Sequence, residues 1–295
     1  MRRFVGMEKY SSIIAWSVVA AYVAQVIIGI FFGSYLLSVE VSIFTVSLMV
    51  LTVIFIGTRL RGINNIVHEC SHSSFADKRT ANATIGRFCS SLLTGCFKTY
   101  KEDHLSHHSH LGDYAHDHEF AAIEKFSLHE QVTWRKVVEL FFAPLIGRHL
   151  STYSGINLSS ADGWHWYGFK VLFLSLIVHL AIVAPLTAVF FILIPWFYIF
   201  PTLNFWTDCL DHAGIVGKSD ELKASRNVLA PTAIRYLFFP RNDCYHLVHH
   251  LFPQIPARHL HTAHAELCQD PDYGEEPVAT RPTFSRRAAQ DQATA

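Results

Sequence analysis

The sequence predicts an all-α integral membrane protein with about four transmembrane helices and a cytoplasmic helical cap that holds a metal site. Of the 295 residues, 51% are hydrophobic and 16% are charged, whereas about a quarter are charged in ordinary soluble domains. Two long apolar stretches contain no Lys or Arg, and histidine is abundant, with 19 residues. The formal net charge is zero, and this lack of a basic excess argues against nucleic acid as a partner.

Four apolar runs are predicted to span the membrane, at residues 12–32, 41–57, 166–184 and 186–203. The first run is long enough to cross a hydrocarbon core of about 30 Å, and a polar break separates it from the second. The apolar block over residues 171–201 is too long for one span and has Pro185 near its middle. We therefore expect two helices there, joined tightly on the far side of the membrane.

The positive charges predict the orientation of these spans. No Lys or Arg lies between Ser11 and Thr58, or between Val171 and Gly217. Because loops rich in Lys and Arg stay in the cytoplasm, both termini and the central loop are expected there. The predicted metal site lies in the same polar segments and is expected on the cytoplasmic side.

The remaining segments are predicted to form one domain with a tail. Two shorter apolar pieces, residues 85–97 and 137–146, are expected to be interfacial or buried helices at the cytoplasmic face. Residues 1–268 would form the domain, and the polar residues 269–295 a disordered tail. None of the six cysteines form a C-x-x-C pair, so we expect free thiols facing a reducing compartment.

Three histidine clusters carry the strongest chemical signal. The first has H-x-x-x-H spacing, and the other two have H-x-x-H-H spacing. On a helix, positions i, i+3 and i+4 lie on one face, so the rings of each cluster can reach one metal region. A ninth candidate, His212, follows the fourth predicted span. The candidate metal ligands are His68, His72, His104, His107, His108, His212, His246, His249 and His250.

The number of these histidines indicates more than one metal ion. A zinc site uses four ligands, or three and a water, and nitrogen ligands also suit iron. Two metal ions that share eight or nine imidazoles are the simplest assignment. A lone H-x-x-x-H arises easily in a histidine-rich chain, but three boxes on one predicted side of the membrane are a strong signal.

Polar side chains near the boxes are expected to orient the ligand rings, whose second nitrogen needs an acceptor. Among the other histidines, His110, His116 and His118 are expected to lie beside the ligands or at the surface. His179 lies inside the third span and is expected to have a neutral, hydrogen-bonded structural role. The candidates for orienting the ligands are Glu69, Asp103, Asp113, Asp117, Glu119, Asn204, Asp208, Asp211 and Asp243.

Several motifs resemble those of a known family. The segment from His68 to His72, followed by Phe75, resembles the first box of acyl-lipid desaturases. Asp211-His212-Ala213-Gly214, Ser225-Arg226-Asn227 and the run from Tyr245 to Pro256 resemble the C-terminal half of bacterial members. Over residues 59–267 the chain therefore resembles the membrane fatty acid desaturase and hydroxylase superfamily.

The resemblance implies a cytoplasmic di-iron centre ligated by the eight box histidines. It also matches His212 to the extra ligand that many members carry between boxes two and three. Asp208 stands where some relatives have an Asn that holds a metal-bound water, so its role is open. The third box begins with His246 and not with the Gln of fused front-end desaturases, which argues against that subclass.

The resemblance implies an oxidoreductase that uses two non-haem iron ions, with O2 as co-substrate and no catalytic residue beyond the metal centre. The leading hypothesis is desaturation of a fatty acyl chain linked to a lipid, CoA or a carrier protein. The enzyme alternative is a hydroxylase or ketolase acting on a lipid, a carotenoid or another apolar metabolite. We find no haem, nucleotide or iron–sulfur motif, so electrons are expected from a separate ferredoxin or cytochrome with its reductase.

A histidine-rich metal transporter is the alternative from a different class. Such a protein would place ionisable groups near the middle of the bilayer, along a transport path. The histidine boxes here lie outside the predicted spans, which counts against that hypothesis. A haem protein would need only a few histidines, facing each other within the spans.

Overall fold

The computed structural model describes residue 4, residues 6–217 and residues 220–281. The regular secondary structure of this part of the chain is entirely helical, and its β-type contact is an isolated bridge between Tyr10 and Ala76. The α-helices are α1 (Ser12–Leu36), α2 (Ile43–Ser71), α3 (Arg79–Leu92), α4 (Phe97–His110), α5 (His118–Ala121), α6 (Trp134–Phe142), α7 (Leu150–Tyr153), α8 (Trp164–Val183), α9 (Pro185–Ala188), α10 (Phe200–His212), α11 (Thr232–Phe238), α12 (His246–Leu251), α13 (Leu260–Leu267), α14 (Pro271–Gly274) and α15 (Pro277–Thr280).

Shorter helical segments of other types join these elements. Turns of 3₁₀-helix occur at Glu124–Phe126, Ala143–Ile146, Glu221–Lys223, Pro240–Asn242 and Ala257–His259. Two π-helical segments, Val189–Leu193 and Pro195–Ile199, connect α9 to α10. The helix is therefore continuous from Pro185 to His212.

Four helices are long and apolar enough to cross a membrane, which confirms the predicted all-helical class. They are Ser12–Leu36, Ile43–Ser71, Trp164–Val183 and Pro185–His212. The second and fourth continue well beyond the predicted ends at residues 57 and 203. Hydropathy detects only the lipid-facing part of a helix, while α2 continues as a buried helix to Ser71. At 1.5 Å per residue, its 29 residues measure about 44 Å. This length exceeds a hydrocarbon core of about 30 Å, so the helix can extend beyond the membrane.

Proline shapes the fourth span. Pro185 begins α9, and one residue, Ala184, separates it from the end of α8, so the two spans are joined tightly as predicted. Pro201 has no N–H to donate to Phe197, four residues earlier. The freed carbonyl of Phe197 accepts a hydrogen bond of 3.0 Å from the Ser154 hydroxyl instead. This bond ties the segment after α7 to the fourth span.

Close helix contacts depend on glycine. A Cβ at Gly57 of α2 would lie 2.3 Å from Cγ2 of Ile199, and one at Gly62 would lie 2.1 Å from Cε1 of Tyr22. Without a side chain at these positions, α2 packs directly against both α1 and the fourth span. Because α2 is central in the bundle, the first histidine box at its C-terminal end lies among the other candidate histidines.

The two short apolar pieces have different environments. α3 contains the first part of residues 85–97, and its Ile85 and Cys89 are fully buried in the core that includes α2. α6 and the following 3₁₀ turn cover residues 137–146 and leave Phe141 and Ile146 exposed. The first piece is therefore a buried helix, while the second keeps an apolar surface.

The predicted disordered tail is wrong for residues 269–281. α14 and α15 pack against the third-box region, with Tyr273 2% exposed and Ala279 fully buried. The Asn227 amide donates to the Tyr273 hydroxyl at 2.8 Å and to the Ala279 carbonyl at 3.0 Å. Average polarity suggested disorder, but a few buried groups are enough to dock this segment. Residues 282–295 of the predicted tail lie outside the described residues.

Candidate metal centre

Four helices carry the nine candidate histidines to one end of the bundle. His68 lies in the last turn of α2, and His72 follows directly as the C-terminal cap of that helix. The second box lies in α4, and His212 is the last residue of α10. The third box lies in α12, which begins at His246. Because each box is helical or caps a helix, its rings extend from one face.

The structure sorts the nine histidines into two groups, in each of which the candidate ligand atoms lie within 4.8 Å of one another. The second and third boxes each contribute to both groups. Rings of the two groups also touch, since His108 stacks on His250 with 4.4 Å between ring centroids. The groups are His68, His72, His104, His108 and His249, and His107, His212, His246 and His250.

Ring nitrogens within each group face one another at short range. Nε2 of His104 lies 2.9 Å from Nε2 of His72, and the Nε2 atoms of His212 and His246 are also 2.9 Å apart. Two nitrogens bound at right angles to one ion at about 2.1 Å would lie about 3 Å apart. With Nδ1–H of His104 donated to Glu119 at 3.0 Å, its Nε2 presents a lone pair to the group. The donor set therefore fits metal ions.

Acceptors behind the rings hold several of them in place. His107 Nδ1 lies 2.9 Å from the fully buried carboxylate of Asp117. His212 Nδ1 donates to the Ala224 carbonyl at 3.3 Å, and His246 Nδ1 lies 3.6 Å from Asp211. Such contacts set the tautomer and the orientation of a ligand ring.

Four of the other predicted orienting residues contact different groups. Glu69 pairs with Arg241, and Asp243 pairs with Arg61. Asn204 accepts a 2.6 Å hydrogen bond from the same Arg61 guanidinium. The two ion pairs connect α2 to the segment before α12, and the Arg61–Asn204 bond connects α2 to α10. Within the described residues, none of Glu69, Asn204 and Asp243 forms a hydrogen bond with a candidate histidine. These three residues therefore position the helices that carry the candidate ligands. Asp208, the fourth residue, accepts a hydrogen bond from the Tyr153 hydroxyl.

Burial keeps most of these rings neutral. Burial and the neighbouring His68 and His72 hold the pKa of His104 well below its usual value. Burial lowers the pKa of His107 too, but its hydrogen bond to Asp117 and nearby carboxylates outweigh that effect and raise the pKa. Burial also raises the pKa of Glu119 to about 7. Because the metal-binding form of imidazole is the neutral one, this environment favours coordination.

A cavity of about 390 Å³ borders both histidine groups. His68 and His104 of the first group and His246 of the second line it. Its volume is in the range of pockets that enclose small ligands. A molecule in this cavity would lie against the metal centre on the side facing α10.

The other histidines lie outside both groups. His116 is exposed and pairs with Asp113, and His118 lies 3.6 Å from Asp103. His179 is exposed on α8 and forms no hydrogen bond within the described residues. The predicted hydrogen-bonded role of His179 therefore finds no protein partner among the residues that the structure describes.

Several residues around the centre were not singled out from the sequence. The Tyr100 ring stacks on His104 at 5.6 Å, and Tyr153 binds Asp208. Arg61 is 4% exposed, in the buried part of α2 just before the first box. The one sequence signal that pointed to Arg61 is its position, as a charged residue, in a helix that continues from an apolar run.

The fold and the site together define a helical membrane protein with two histidine groups that could hold metal ions. Comparison with known families extends this description, because the model of the fatty acid desaturase family matches residues 45–282. The chain belongs to the fatty acid desaturase family.

Named relatives share a modest fraction of the sequence. The chain is 25% identical to dihydrorhizobitoxine desaturase of Bradyrhizobium elkanii over 243 residues, covering 76% of this chain and 69% of that protein. It is 32% identical to a Delta(12)-oleate desaturase of Trichosanthes kirilowii over 114 residues, 39% of this chain and 28% of that one. It is 28% identical to the sn-1 oleoyl-lipid 12-desaturase of Anabaena variabilis over 120 residues, 40% and 33% of the two chains. These similarities support an oxidoreductase of the desaturase type.

Proposed function

We propose that this protein is an O2-dependent di-iron desaturase that converts a –CH2–CH2– unit of an aliphatic substrate into a double bond. The observation that carries the proposal is the pair of histidine groups beside one cavity. The proposed ligands are the nine histidines, five for one ion and four for the other. Family membership supports the reaction type.

The reaction needs an oxidant and two electrons from outside the chain. One O2 combines with two electrons, two protons and the two hydrogens removed from the substrate to give two water molecules. Bound iron would supply the oxygen chemistry, which ordinary side chains cannot perform. Asp117 and Glu119 would hold His107 and His104 in their ligating tautomers. We propose a separate ferredoxin or cytochrome with its reductase as the electron donor.

The family makes a fatty acyl chain, linked to a lipid, CoA or a carrier protein, the first substrate to test. Two relatives are named for oleate or an oleoyl lipid, but each match covers at most 40% of this chain. The relative matched over 76% of the chain is named for dihydrorhizobitoxine. A hydroxylase or ketolase remains the enzyme alternative. Product mass separates the two, since desaturation removes about two mass units and hydroxylation adds about sixteen.

The first test is metal content. Purified protein given Fe²⁺ without oxygen is expected to bind about two iron ions per chain and to show no haem spectrum. His107→Ala is expected to lose iron, while His116→Ala, a change at an exposed histidine outside both groups, is the matched control. Failure to bind iron after anaerobic addition would overturn the proposal and favour a metal transporter.

We also propose that the metal centre and both termini face the cytoplasm, as the Lys and Arg distribution predicts. The chain offers a native probe, because Cys268 is exposed and the other five cysteines are buried. A membrane-impermeant maleimide is expected to label Cys268 in inverted vesicles and to leave intact cells unlabelled. Cys268→Ser is the control, and labelling from the cell exterior would reverse the proposed orientation.

A further inference from the structure

The cavity beside the metal centre has a polar wall made by α10. Asn204, Thr207, Asp208 and Asp211 line it, at spacings of three, four and seven residues that lie along one helical face. Side chains at positions i and i+3 of a helix have Cβ atoms about 5–6 Å apart. The carboxylates of Asp208 and Asp211 can therefore reach a single small group in the cavity.

Asp208 has an unfilled acceptor. One of its oxygens, Oδ2, accepts a 2.6 Å hydrogen bond from the Tyr153 hydroxyl. In the part of the chain that the structure describes, Asp208 forms no other hydrogen bond and no ion pair. Its second oxygen therefore has capacity for a donor from a bound molecule.

Asp211 supplies an independent sign of a missing donor. Its side chain is 1% exposed, and its Oδ1 atom is buried with no hydrogen-bond partner. A buried carboxylate oxygen without a donor is costly. The other oxygen of Asp211 lies 3.6 Å from Nδ1 of His246, so one edge of this carboxylate faces the metal centre.

No cationic side chain of the described chain pairs with Asp208. Asp117 and Glu119 lie behind the candidate ligands His107 and His104, where their charge would offset that of bound metal ions. Asp243 is paired with Arg61. Arg61 is also the one Lys or Arg that lines the cavity in the described chain, and its guanidinium is occupied by Asp243, Asn204 and the Phe238 carbonyl. Within the described chain, Asp208 is thus a cavity carboxylate without a Lys or Arg partner.

The cavity also has apolar walls, but it is separated from a second, apolar groove between α2 and the fourth span. Val67, Ile123 and Phe200 line it together with the polar residues. The apolar groove, of about 500 Å³, lies further along α2 and the fourth span. Between them α2 and the fourth span touch, because a Cβ at Gly57 would meet Ile199 at 2.3 Å. A chain in the cavity therefore cannot extend into that groove along this seam.

We propose that the cavity binds a short amphipathic substrate whose ammonium group is held by Asp208, with Asp211 as a second acceptor. The aliphatic carbons of this substrate would lie against His68, His104 and His246. The reaction on those carbons rests on the proposed desaturase function, whereas the binding of an amine can be measured without turnover.

The test compares three six-carbon probes on purified, iron-loaded protein in a neutral detergent at pH 7.5. They are n-hexylamine, which is cationic at this pH because alkylamines have pKa values near 10, 1-hexanol and hexanoate. Hexylamine is expected to raise the unfolding temperature saturably, and the other two probes are expected to have little effect. Asp208→Asn keeps the shape and removes the charge, and is expected to weaken hexylamine binding at least about tenfold.

Asp103→Asn is the matched control, because Asp103 lines the same cavity but is partly exposed and lies beside His118. Its hexylamine affinity is expected to stay within about twofold of wild type. Equal binding of hexylamine and hexanol, or unchanged hexylamine binding in Asp208→Asn, would overturn the substrate proposal. So would a loss of iron in Asp208→Asn, which would place that carboxylate in the metal site. If wild type holds iron but binds no hexylamine, the substrate proposal fails and the desaturase proposal stands.

Discussion

At the scale of single residues, two similar Asp–His pairs have different environments. Asp117 is fully buried, lies 2.9 Å from the ligand candidate His107, and also accepts from two backbone N–H groups. Asp113 lies 2.7 Å from His116, and both side chains are more than half exposed. The first pair can fix a ring, while the second is screened by water.

Replacement of Asp117 is expected to weaken metal binding. Asp117→Asn leaves an acceptor but removes the charge behind His107, and loss of such a contact typically costs about 10–100-fold in metal affinity. The measurement is anaerobic titration with Fe²⁺. Asp113→Asn is the control and should stay within about twofold of wild type. Equal affinities for the two variants would show that Asp117 does not orient a ligand.

At the scale of helices, packing depends on how closely α2 approaches its neighbours. Gly57 lets α2 touch the fourth span, and Gly62 lets it touch α1. By contrast, a Cβ at Gly168 on α8 would meet nothing within 4 Å. Glycine is therefore needed for close helix packing at position 57 but not at position 168.

Gly57→Ala is expected to destabilise the protein, and Gly168→Ala is expected not to. The new methyl at Gly57 would overlap Ile199, and such overpacking costs about 1–3 kcal/mol. At Gly168 the methyl is free of contacts, and alanine gains up to about 1 kcal/mol of helix propensity. Thermal unfolding in detergent measures both changes. A Gly57→Ala protein as stable as wild type would show that α2 and the fourth span can separate without cost.

The start of α4, the helix of the second box, is held by a distant residue. Asp162 accepts hydrogen bonds from the backbone N–H groups of Phe97 and Lys98, at 2.7 and 3.0 Å. Asp162→Ala should cost about 1–2 kcal/mol of unfolding free energy, as loss of a helix cap does. Asp220→Ala removes an exposed cap from a short 3₁₀ turn and should cost less than about 0.5 kcal/mol. If calorimetry shows equal losses, Asp162 does not hold α4 in place.

At the scale of the whole molecule, the ends of several helices meet at one side of the bundle. The C-terminal ends of α2 and α10 carry candidate ligands there. The start of α8 is near the same side, since Asp162 just before it binds the start of α4. The candidate metal centre therefore closes one end of the bundle.

This concentration of buried histidines predicts a pH effect on the metal-free protein. Burial and neighbouring rings hold the pKa values of His72, His104, His249 and His250 well below the usual 6.5. Between these values and about 6.5, the unfolded chain binds more protons, so stability falls as the pH is lowered below about 6.5. His107 and Glu119, whose pKa values are raised, contribute in the opposite direction, but they are fewer than the four histidines with lowered pKa values.

The unfolding temperature of metal-free protein is expected to drop by at least about 5 °C between pH 7.5 and pH 5.5. Differential scanning calorimetry at several pH values measures this change. His116→Ala, which removes an exposed histidine, should give the same curve as wild type. An unfolding temperature that does not change over this range would show that the histidine groups are open to water.

Much of this arrangement could be predicted from local sequence. Spacings such as those between His104, His107 and His108 need only helical geometry to share a face, and all nine candidates come together in the structure. The apolar runs likewise identify four spans, because burial of a backbone in lipid requires helices. The sequence also named Asp117 and Glu119 as candidates, but it had no means to separate them from Asp113.

Other features depend on contacts between distant parts of the chain. His249 joins His68 in one group while its neighbour His250 joins His212 in the other, because rings from different helices share each site. The extension of α2 to Ser71 and the docking of Tyr273 on Asn227 rest on buried partners far away in sequence. The sequence therefore determines which types of donor are present, and their spacing determines which of them share one face of a helix. The partners of each donor follow from packing, since a ring or carboxylate interacts with whatever the folded helices place within a few ångströms.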